Sequence, residues 1–168
     1  ASFVAIAKGD VPAKHWFRLG RGLTPFPGGA VLLSWSGSLF EYLMPGLVMQ
    51  EPQGSLLHQT ARLAVRRQMQ HGAELHVPWG VSESAYNVRD LDLTYQYSNF
   101  GVPGLGLERG LSEDLVIAPY ATALAAMVEP GAAAENLRRL TDVGARGSYG
   151  FYEALDYTRT RLQDDARF

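Results

Sequence analysis

The chain alternates short apolar segments with long connections that are rich in glycine and aromatic residues, and this alternation restricts the folds it can adopt. Glycine accounts for 18 of the 168 residues, well above the average of about 7%. The connections also hold a group of aromatic residues: Trp79, Tyr86, Tyr95, Tyr97, Phe100, Tyr149, Phe151 and Tyr152. Because loops on a rigid scaffold commonly carry binding and catalytic residues, we expect function to lie in these connections.

Several apolar segments have the spacing of helices. The clearest runs from Ser55 to His71, where apolar residues recur at three- and four-residue steps on one face. Ser55 suits an N-cap, and Gly72 suits the position that follows a helix. Further helices are predicted over residues 119–128, 132–143 and 151–162.

The remaining segments are shorter and less regular. A helix is predicted after Ser36 or Ser38, and Pro45 should kink or end it. Residues 24–29 are predicted to be a loop, because their prolines disfavour the helical region for the residues before them. Other predicted loops cover residues 77–84, 95–110 and 144–150. The sequence therefore predicts a mainly all-α fold with long connections.

Composition excludes several classes of protein. Hydrophobic residues make up 46% and charged residues 19% of the chain, which is typical of a globular protein and not of a disordered one. A formal net charge of −2 leaves no broad basic face, so nucleic acid is not an expected partner. The absence of cysteine excludes disulfides, thiolate metal sites and cysteine nucleophiles. The longest mostly apolar stretch, 115–128, is shorter than the roughly 20 residues of a membrane span.

Three kinds of site find little support in the sequence. No pair among the four histidines has the spacing of helical metal ligands next to a glutamate, so no metal site is expected. The glycines of residues 101–106 superficially resemble a phosphate loop, but no β-branched strand precedes them, and a tight connection is the better interpretation. Serine hydrolysis is excluded because no Gly-x-Ser-x-Gly elbow is present.

Paired carboxylates remain as the candidate chemistry. Glycoside cleavage needs two carboxyl groups across a sugar ring, one as acid and the other as base or nucleophile. Glu41, Glu83 and Glu153 each lie among aromatic and apolar neighbours with few charges. Such a setting raises a carboxyl pKa by desolvation, which suits a general acid.

Each of these acids also has a structural interpretation. Glu41 could equally be a buried acid paired with an arginine, and Glu153 could be favoured by the dipole at the start of a helix. Glu83 follows a Pro-Trp-Gly turn, where packing has no need of a carboxylate, and this favours a functional role. Asp90, Asp92 and Asp156 are weaker candidates, because aspartate is common at turns and caps.

Several motifs carry a resemblance to a known family. They occupy residues 33–45 (LSWSGSLFEYLMP), 78–87 (PWGVSESAYN), 95–97 (YQY), 100–107 (FGVPGLGL), 118–122 (APYAT) and 149–158 (YGFYEALDYT). In this order they resemble the glycoamylase-like domain in the middle of cyclic β-1,2-glucan synthases, over about residues 9–161. The resemblance implies part of an (α/α)₆-barrel glycoside-hydrolase-like domain that needs no cofactor.

The resemblance also implies an activity and a setting. The synthases of this family are large inner-membrane proteins that elongate a β-1,2-glucan from UDP-glucose. Their glycoamylase-like domain is implicated in cyclisation, a transglycosylation on the β-1,2-glucan chain. The implied partners are that glucan and the remaining domains of the synthase. The implied location is the bacterial inner membrane, with this domain facing the cytoplasm.

The matching motifs imply roles for particular residues. Glu83 is the implied acid/base and Glu153 the implied nucleophile of a retaining transfer. The implied substrate-binding residues are Glu41, Trp79, Tyr86, Arg89, Tyr95, Gln96, Tyr97, Tyr152 and Asp156. The alternatives remain a non-catalytic glucan-binding or spacer module, or acids that are only structural.

Length argues that residues 1–168 form one incomplete domain. An (α/α)₆ barrel has twelve helices and several hundred residues, whereas five to seven helices are predicted here. We therefore expect a piece of a larger polypeptide that is inactive by itself. Uncovered apolar helix faces would favour self-association.

Overall fold

Five α-helices and four two-stranded antiparallel sheets form the part of the chain that the computed structural model describes, residues 1–163, 166 and 168. The helices are α1 (Ser2–Ala7), α2 (Leu39–Leu43), α3 (Leu56–Glu74), α4 (Pro119–Ala125) and α5 (Pro130–Asp142). Short 3₁₀ helices cover Ala13–Arg18, Met44–Leu47 and Arg159–Arg161. Among these described residues, no helix is both long and apolar enough to cross a membrane.

The strands pair locally, with one exception. They are β1 (Leu23–Phe26), β2 (Gly29–Leu32), β3 (Ser84–Arg89), β4 (Tyr95–Ser98), β5 (Val116–Ile117), β6 (Arg146–Gly147), β7 (Gly150–Phe151) and β8 (Leu155–Asp156). Three pairs are hairpins, β1–β2, β3–β4 and β6–β7. The exception is β5–β8, which joins Val116 to Asp156 and Ile117 to Leu155. This pairing brings the last part of the described chain back beside α4.

The expected all-α fold is wrong. The structure is mixed, with 38% helix and 18% strand in small sheets, and it is not part of an all-α barrel. The predicted helix over 151–162 is replaced by β7, β8 and a 3₁₀ turn. Its residues pair with other segments, since Phe151 pairs with Arg146 and Leu155 with Ile117.

The N-caps predicted for the two helices in the first half of the chain are confirmed. Ser55 Oγ accepts a hydrogen bond of 3.2 Å from the backbone N–H of His58 at the start of α3. Ser38, the second of the two candidates, caps α2 by accepting 3.3 Å from Glu41 N–H. Pro45 lies in the 3₁₀ turn that follows α2, as its missing N–H requires.

The core is built around α3. This helix packs against β2 and α2, while α4 packs against α2 and α5. The most deeply buried large side chains come from α2, β5, α5 and β8 as well as from the segments between them: Leu39, Leu43, Leu105, Ile117, Leu140 and Leu155. The helices thus form a frame around the segment 79–84, which runs between α3, α4 and α5.

Two glycine-rich segments cross in close backbone contact beside this frame. Ser34 N–H donates to Leu105 O at 3.1 Å, and Val102 N–H donates to Gly37 O at 3.3 Å. A Cβ on Gly101 would lie 1.7 Å from Ser36 O, well inside any tolerated contact. The crossing therefore needs glycine because no side chain fits between the two backbones.

We expect Gly101→Ala to lower the free energy of unfolding by about 2–3 kcal/mol, because the added methyl forces the two backbones apart. Gly131→Ala is the matched control, since a Cβ there meets nothing within 4 Å and the residue lies in a helix. This control should be neutral or stabilising by about 0.5–1 kcal/mol. Urea unfolding measures both. Equal effects at the two positions would contradict the crossing as the cause.

Candidate functional site

The segment that leads to Glu83 is held by buried side chains as well as by backbone hydrogen bonds, such as that from Ala118 N–H to Gly80 O at 2.9 Å. Gln68, on α3, accepts 2.8 Å from Val81 N–H and donates 2.8 Å to Val81 O. One side-chain amide therefore bonds both backbone polar groups of one buried residue, as a strand partner would. Gln68 is almost completely buried, on the helix face that packs inward.

A second amide holds the same segment two residues earlier. Asn136, on α5, accepts 3.2 Å from Trp79 N–H and donates 2.7 Å to Trp79 O. Thr122, on α4, donates 3.3 Å to the same carbonyl. The segment is thereby tied to three helices, which fixes the backbone just before Glu83.

Replacing Gln68 tests this arrangement. We expect Gln68→Leu to lower the free energy of unfolding by about 1–3 kcal/mol, because the buried N–H of Val81 loses its partner. Val81 O keeps the hydrogen bond of 3.2 Å from Leu39 N–H. The exposed Gln70→Leu, two residues further along α3, is the matched control and should change stability by less than about 0.5 kcal/mol. Thermal unfolding monitored by circular dichroism distinguishes them. A Gln68→Leu protein as stable as the control would refute the bracing role.

Glu83 lies at the end of this braced segment, directly before β3. Its carboxyl group is partly buried and has a raised pKa, caused first by desolvation and second by the negative charge of Glu41. A raised pKa favours the protonated form that a general acid must have.

Glu153 approaches the same strand from the loop between β7 and β8. Its Oε1 accepts a long hydrogen bond of 3.4 Å from Ala85 N–H. Residues two apart in a strand are about 6.6 Å apart along it and point to the same face. This bond holds the carboxylate of Glu153 at the backbone two residues after Glu83, although 70 residues separate the two acids in sequence.

Both carboxylates influence the same two phenols. Partial burial raises the pKa of Tyr97, and the charges of Glu83 and Glu153 raise it further. Burial also raises the pKa of Tyr120 to about 12, with contributions from Tyr97 and from both carboxylates. Both acids therefore lie near Tyr97 and Tyr120.

An aromatic face extends from this cluster along the β3–β4 hairpin. Tyr97 is 61% exposed and Tyr95 is 49% exposed. They lie two residues apart, so they stand on one face of β4. The guanidinium of Arg89 lies 4.3 Å above the ring of Tyr95 and hydrogen-bonds its hydroxyl. Gln96 points to the other face and donates to Asp90 and to Thr94 O.

A cavity of about 340 Å³ lies between this hairpin and the β7–β8 loop. Its lining includes Ala85, Tyr86, Tyr95, Tyr152, Glu153 and Asp156. Tyr152 is largely exposed. Tyr86 packs edge-on against Phe100, with ring centroids 5.3 Å apart. Five of the residues for which the sequence predicts a role in binding or catalysis therefore line this cavity: Tyr86, Tyr95, Tyr152, Glu153 and Asp156.

Three of the residues with a predicted role in binding have side chains that are held within the protein. Trp79 is only 6% exposed and belongs to the core, which does not favour a sugar-stacking role. Glu41 accepts hydrogen bonds from the backbone N–H groups of Trp35, Ser36 and Gly37 and from Ser36 Oγ. Burial acts to raise the pKa of Glu41, but these hydrogen bonds outweigh it and the pKa is lowered. Substrate contact by Trp79 and Glu41 stays a prediction.

Asp156 is the third, and its carboxylate is committed on both oxygens. Arg161 Nε lies 2.6 Å from Oδ2, and Thr158 N–H donates 3.0 Å to Oδ1. Asn87 N–H donates 3.1 Å to Oδ2, which ties β8 to β3. Burial acts to raise the pKa of Asp156, but the hydrogen bonds from Arg161, Thr158 and Asn87 hold it below its usual value. The contacts are those of a structural anchor beside the cavity.

Sequence reasoning missed the residues that brace the cluster: Gln68, Ser82, Tyr120, Asn136 and Arg161. For Gln68 a signal was present, because an amide on the inward face of an otherwise apolar helix needs a buried partner. Ser82, Tyr120 and Asn136 have partners that are remote in sequence, whereas Arg161 binds Asp156 five residues earlier. Within the described ranges, no group of three or more histidine, aspartate or glutamate side chains could hold a metal ion.

The class of protein follows from a family comparison. Residues 2–166 match the Glycoamylase family, whose description is "Putative glucoamylase", and the chain belongs to this family. Among individual relatives, the cyclic β-(1,2)-glucan synthase NdvB of Rhizobium meliloti is 57% identical over 163 residues. The match covers 97% of this chain and 6% of that protein, so the chain spans a small part of its relative. The resemblance found in the motifs is confirmed.

Solved structures with the same description share the fold at low identity. A "putative glucoamylase" from Bacteroides fragilis superposes with a TM-score of 0.55 at 20% identity, over 82% of this chain and 34% of that one. The corresponding protein from Bacteroides caccae gives a TM-score of 0.54 at 18% identity, over 82% of this chain and 35% of the other. At such identities the likeness concerns the fold alone.

Proposed function

We propose that this chain is the carboxylate-bearing part of a longer cyclic β-1,2-glucan synthase, called here the parent polypeptide, and acts on the β-1,2-glucan chain. The observation that carries the proposal is the hydrogen bond from Ala85 N–H to Glu153, which brings a second carboxylate to the strand that Glu83 precedes. Relationship to a cyclic glucan synthase supplies the substrate class.

The proposed reaction is a transglycosylation with retention. Glu83 protonates the departing glycosidic oxygen, and Glu153 attacks the anomeric carbon to form a glycosyl-enzyme. A hydroxyl group of a sugar then displaces Glu153 while Glu83, now a carboxylate, takes its proton. The raised pKa of Glu83 supports its assignment as the acid.

The aromatic face supports the proposed substrate. Pyranose rings present apolar C–H faces, and the exposed rings of Tyr95, Tyr97 and Tyr152 offer matching surfaces. Arg89 and Gln96 add donors for sugar hydroxyl groups. We propose that the glucan runs along the β3–β4 hairpin from the carboxylates toward the hairpin tip.

A non-catalytic glucan-binding module is the second candidate. Its support is that Tyr95, Tyr97 and Tyr152 are all exposed, and that the cavity is modest in volume. In this case the carboxylates only accept hydrogen bonds from sugar hydroxyl groups.

Product analysis on linear β-1,2-glucan distinguishes the two candidates. The parent polypeptide should produce cyclic or transferred glucans, whereas the isolated chain should bind glucan without changing its length distribution. Mass spectrometry of the products measures the cyclic glucans and the distribution of chain lengths. A parent polypeptide that binds glucan yet leaves its chain length unaltered would leave only the binding module.

We further propose that the parent resides in the bacterial inner membrane with this part on the cytoplasmic side, and that the isolated chain self-associates.

A further inference from the structure

Tyr120 hydrogen-bonds the backbone carbonyl of Glu83 and belongs to a short chain of hydrogen-bonded hydroxyl groups. Its Oη lies 2.9 Å from Glu83 O and 2.9 Å from Ser82 Oγ. Ser82 is completely buried, and its Oγ accepts 3.0 Å from Phe40 N–H at the start of α2. Three elements therefore meet at two hydroxyl groups beside Glu83: α2, the segment 79–84 and α4.

The direction of every hydrogen bond in this chain is determined. A carbonyl cannot donate, so the single hydroxyl proton of Tyr120 goes to Glu83 O. Ser82 must then donate a hydrogen bond to Tyr120 Oη, and Ser82 Oγ accepts a hydrogen bond from Phe40 N–H. The order is Phe40 N–H to Ser82, Ser82 to Tyr120, and Tyr120 to Glu83 O. Each group has one assigned role, so the chain cannot reverse.

Tyr120 also lies close to both carboxylates. It lines a second cavity, of about 380 Å³, together with Phe151, Tyr152 and Glu153. Burial raises the pKa of the Tyr120 hydroxyl to about 12, and the charges of Glu83 and Glu153 add to this, so the hydroxyl stays protonated far above neutral pH. A tyrosinate nucleophile is therefore disfavoured at this position, and a fixed neutral donor is favoured.

We propose that Tyr120 and Ser82 are positioning residues that set the orientation of the Glu83 carboxyl group, through the hydrogen bond from Tyr120 to the Glu83 carbonyl. Neither residue exchanges a proton with substrate. The Glu83 backbone is anchored from the α4 side by this bond and from the preceding residues by Gln68 and Asn136. The catalytic meaning of this positioning rests on the proposed function, whereas the positioning itself does not.

The test is a titration of the Glu83 carboxyl by ¹³C NMR in this chain, with no substrate present. In Tyr120→Phe the Glu83 carbonyl loses its donor, and the carboxyl should turn toward solvent. We expect its apparent pKa to fall toward the ordinary glutamate value. Ser82→Ala, which leaves Tyr120 without its donor, should shift the pKa in the same direction. Tyr42→Phe is the matched control, because Tyr42 is another buried phenol that donates to backbone carbonyls, those of Leu32 and Leu105.

The outcomes separate positioning from general stability. A Glu83 pKa that falls in Tyr120→Phe and Ser82→Ala but not in Tyr42→Phe supports the proposal. An unchanged pKa in Tyr120→Phe, or an equal shift in all three variants, overturns it. In the parent polypeptide, Tyr120→Phe should lower kcat by about 10- to 100-fold with little change in KM. A change in KM with an unaltered kcat would overturn the positioning role. A parent polypeptide without activity would refute the proposed function and leave the titration result standing.

Discussion

Glu83→Gln in the parent polypeptide should lower the rate of glucan transfer by about 1,000-fold, the middle of the range for general acid–base catalysis. The amide has the shape of the carboxyl group but cannot give a proton to the departing oxygen. Glu153→Gln should lower the rate at least as far, because an amide does not form the glycosyl-enzyme. Initial rates of product formation from linear β-1,2-glucan measure both effects.

The two variants should differ when the leaving group needs no proton. An aryl β-glucoside with an acidic phenol departs without help from Glu83, so Glu83→Gln should retain much more activity on it than on glucan. Glu153→Gln should stay inactive on both substrates. Glu108→Gln is the matched control, since this glutamate hydrogen-bonds Asn99 away from the cluster. Comparable losses at Glu83 and Glu108, or loss at neither Glu83 nor Glu153, would eliminate the assigned pair.

The pH dependence of transfer follows from the same assignment. Glu83 has a raised pKa, so the acid form persists to a higher pH than for an ordinary glutamate. Activity should fall on the alkaline side as Glu83 loses its proton. Because Glu41 contributes to the raised pKa, Glu41→Gln should move this alkaline limb to lower pH. A pH profile in which the alkaline limb does not move would exclude electrostatic coupling between the two acids.

The sequence predicted those elements whose determinants are local. Ser55 and Ser38 cap helices through bonds to residues three positions on, and such bonds depend on spacing alone. The β1–β2 hairpin was missed because Pro25 and the two glycines at 28 and 29 resemble a loop. Both glycines have positive φ angles: Gly28 lies in the turn that joins the strands, and Gly29 is the first residue of β2. Turn chemistry and loop chemistry use the same residues, so the sequence pattern does not separate them.

The C-terminal error has a different cause. Residues 151–162 have enough apolar spacing for a helix, but Leu155 and Asp156 are extended by pairing with β5, about 40 residues earlier. Such a partner leaves no mark in the local pattern. The candidate site shows the same limit. Motifs predicted Glu83 and Glu153 as candidates but carried no information on their neighbours in space. Only the structure brought Glu153 to Ala85 N–H and showed that Asp156 is held by Arg161.

Arg161→Ala should lower the free energy of unfolding by about 3–5 kcal/mol, the usual cost of removing one partner from a buried ion pair. The side chain of Asp156 is only 5% exposed, and Arg161 Nε lies 2.6 Å from its Oδ2. Arg161 also pairs with Asp114 and stacks 5.0 Å from the ring of Tyr86. Its loss leaves a buried carboxylate without its cation beside the candidate site. Urea unfolding at pH 7 measures the effect.

Acid should remove the same stabilisation from the unaltered protein. Because the folded-state pKa of Asp156 is lowered, its contribution is present above the unfolded value near 3.8 and is lost as the pH falls through the folded value. The difference in stability between pH 7 and pH 3 should therefore be larger in the unaltered protein than in Arg161→Ala, where the two pKa values of Asp156 approach each other. Arg159→Ala is the matched control, because Arg159 is exposed two residues away. An Arg161→Ala protein with unaltered acid sensitivity would mean that the Asp156–Arg161 ion pair is not the source of this pH dependence.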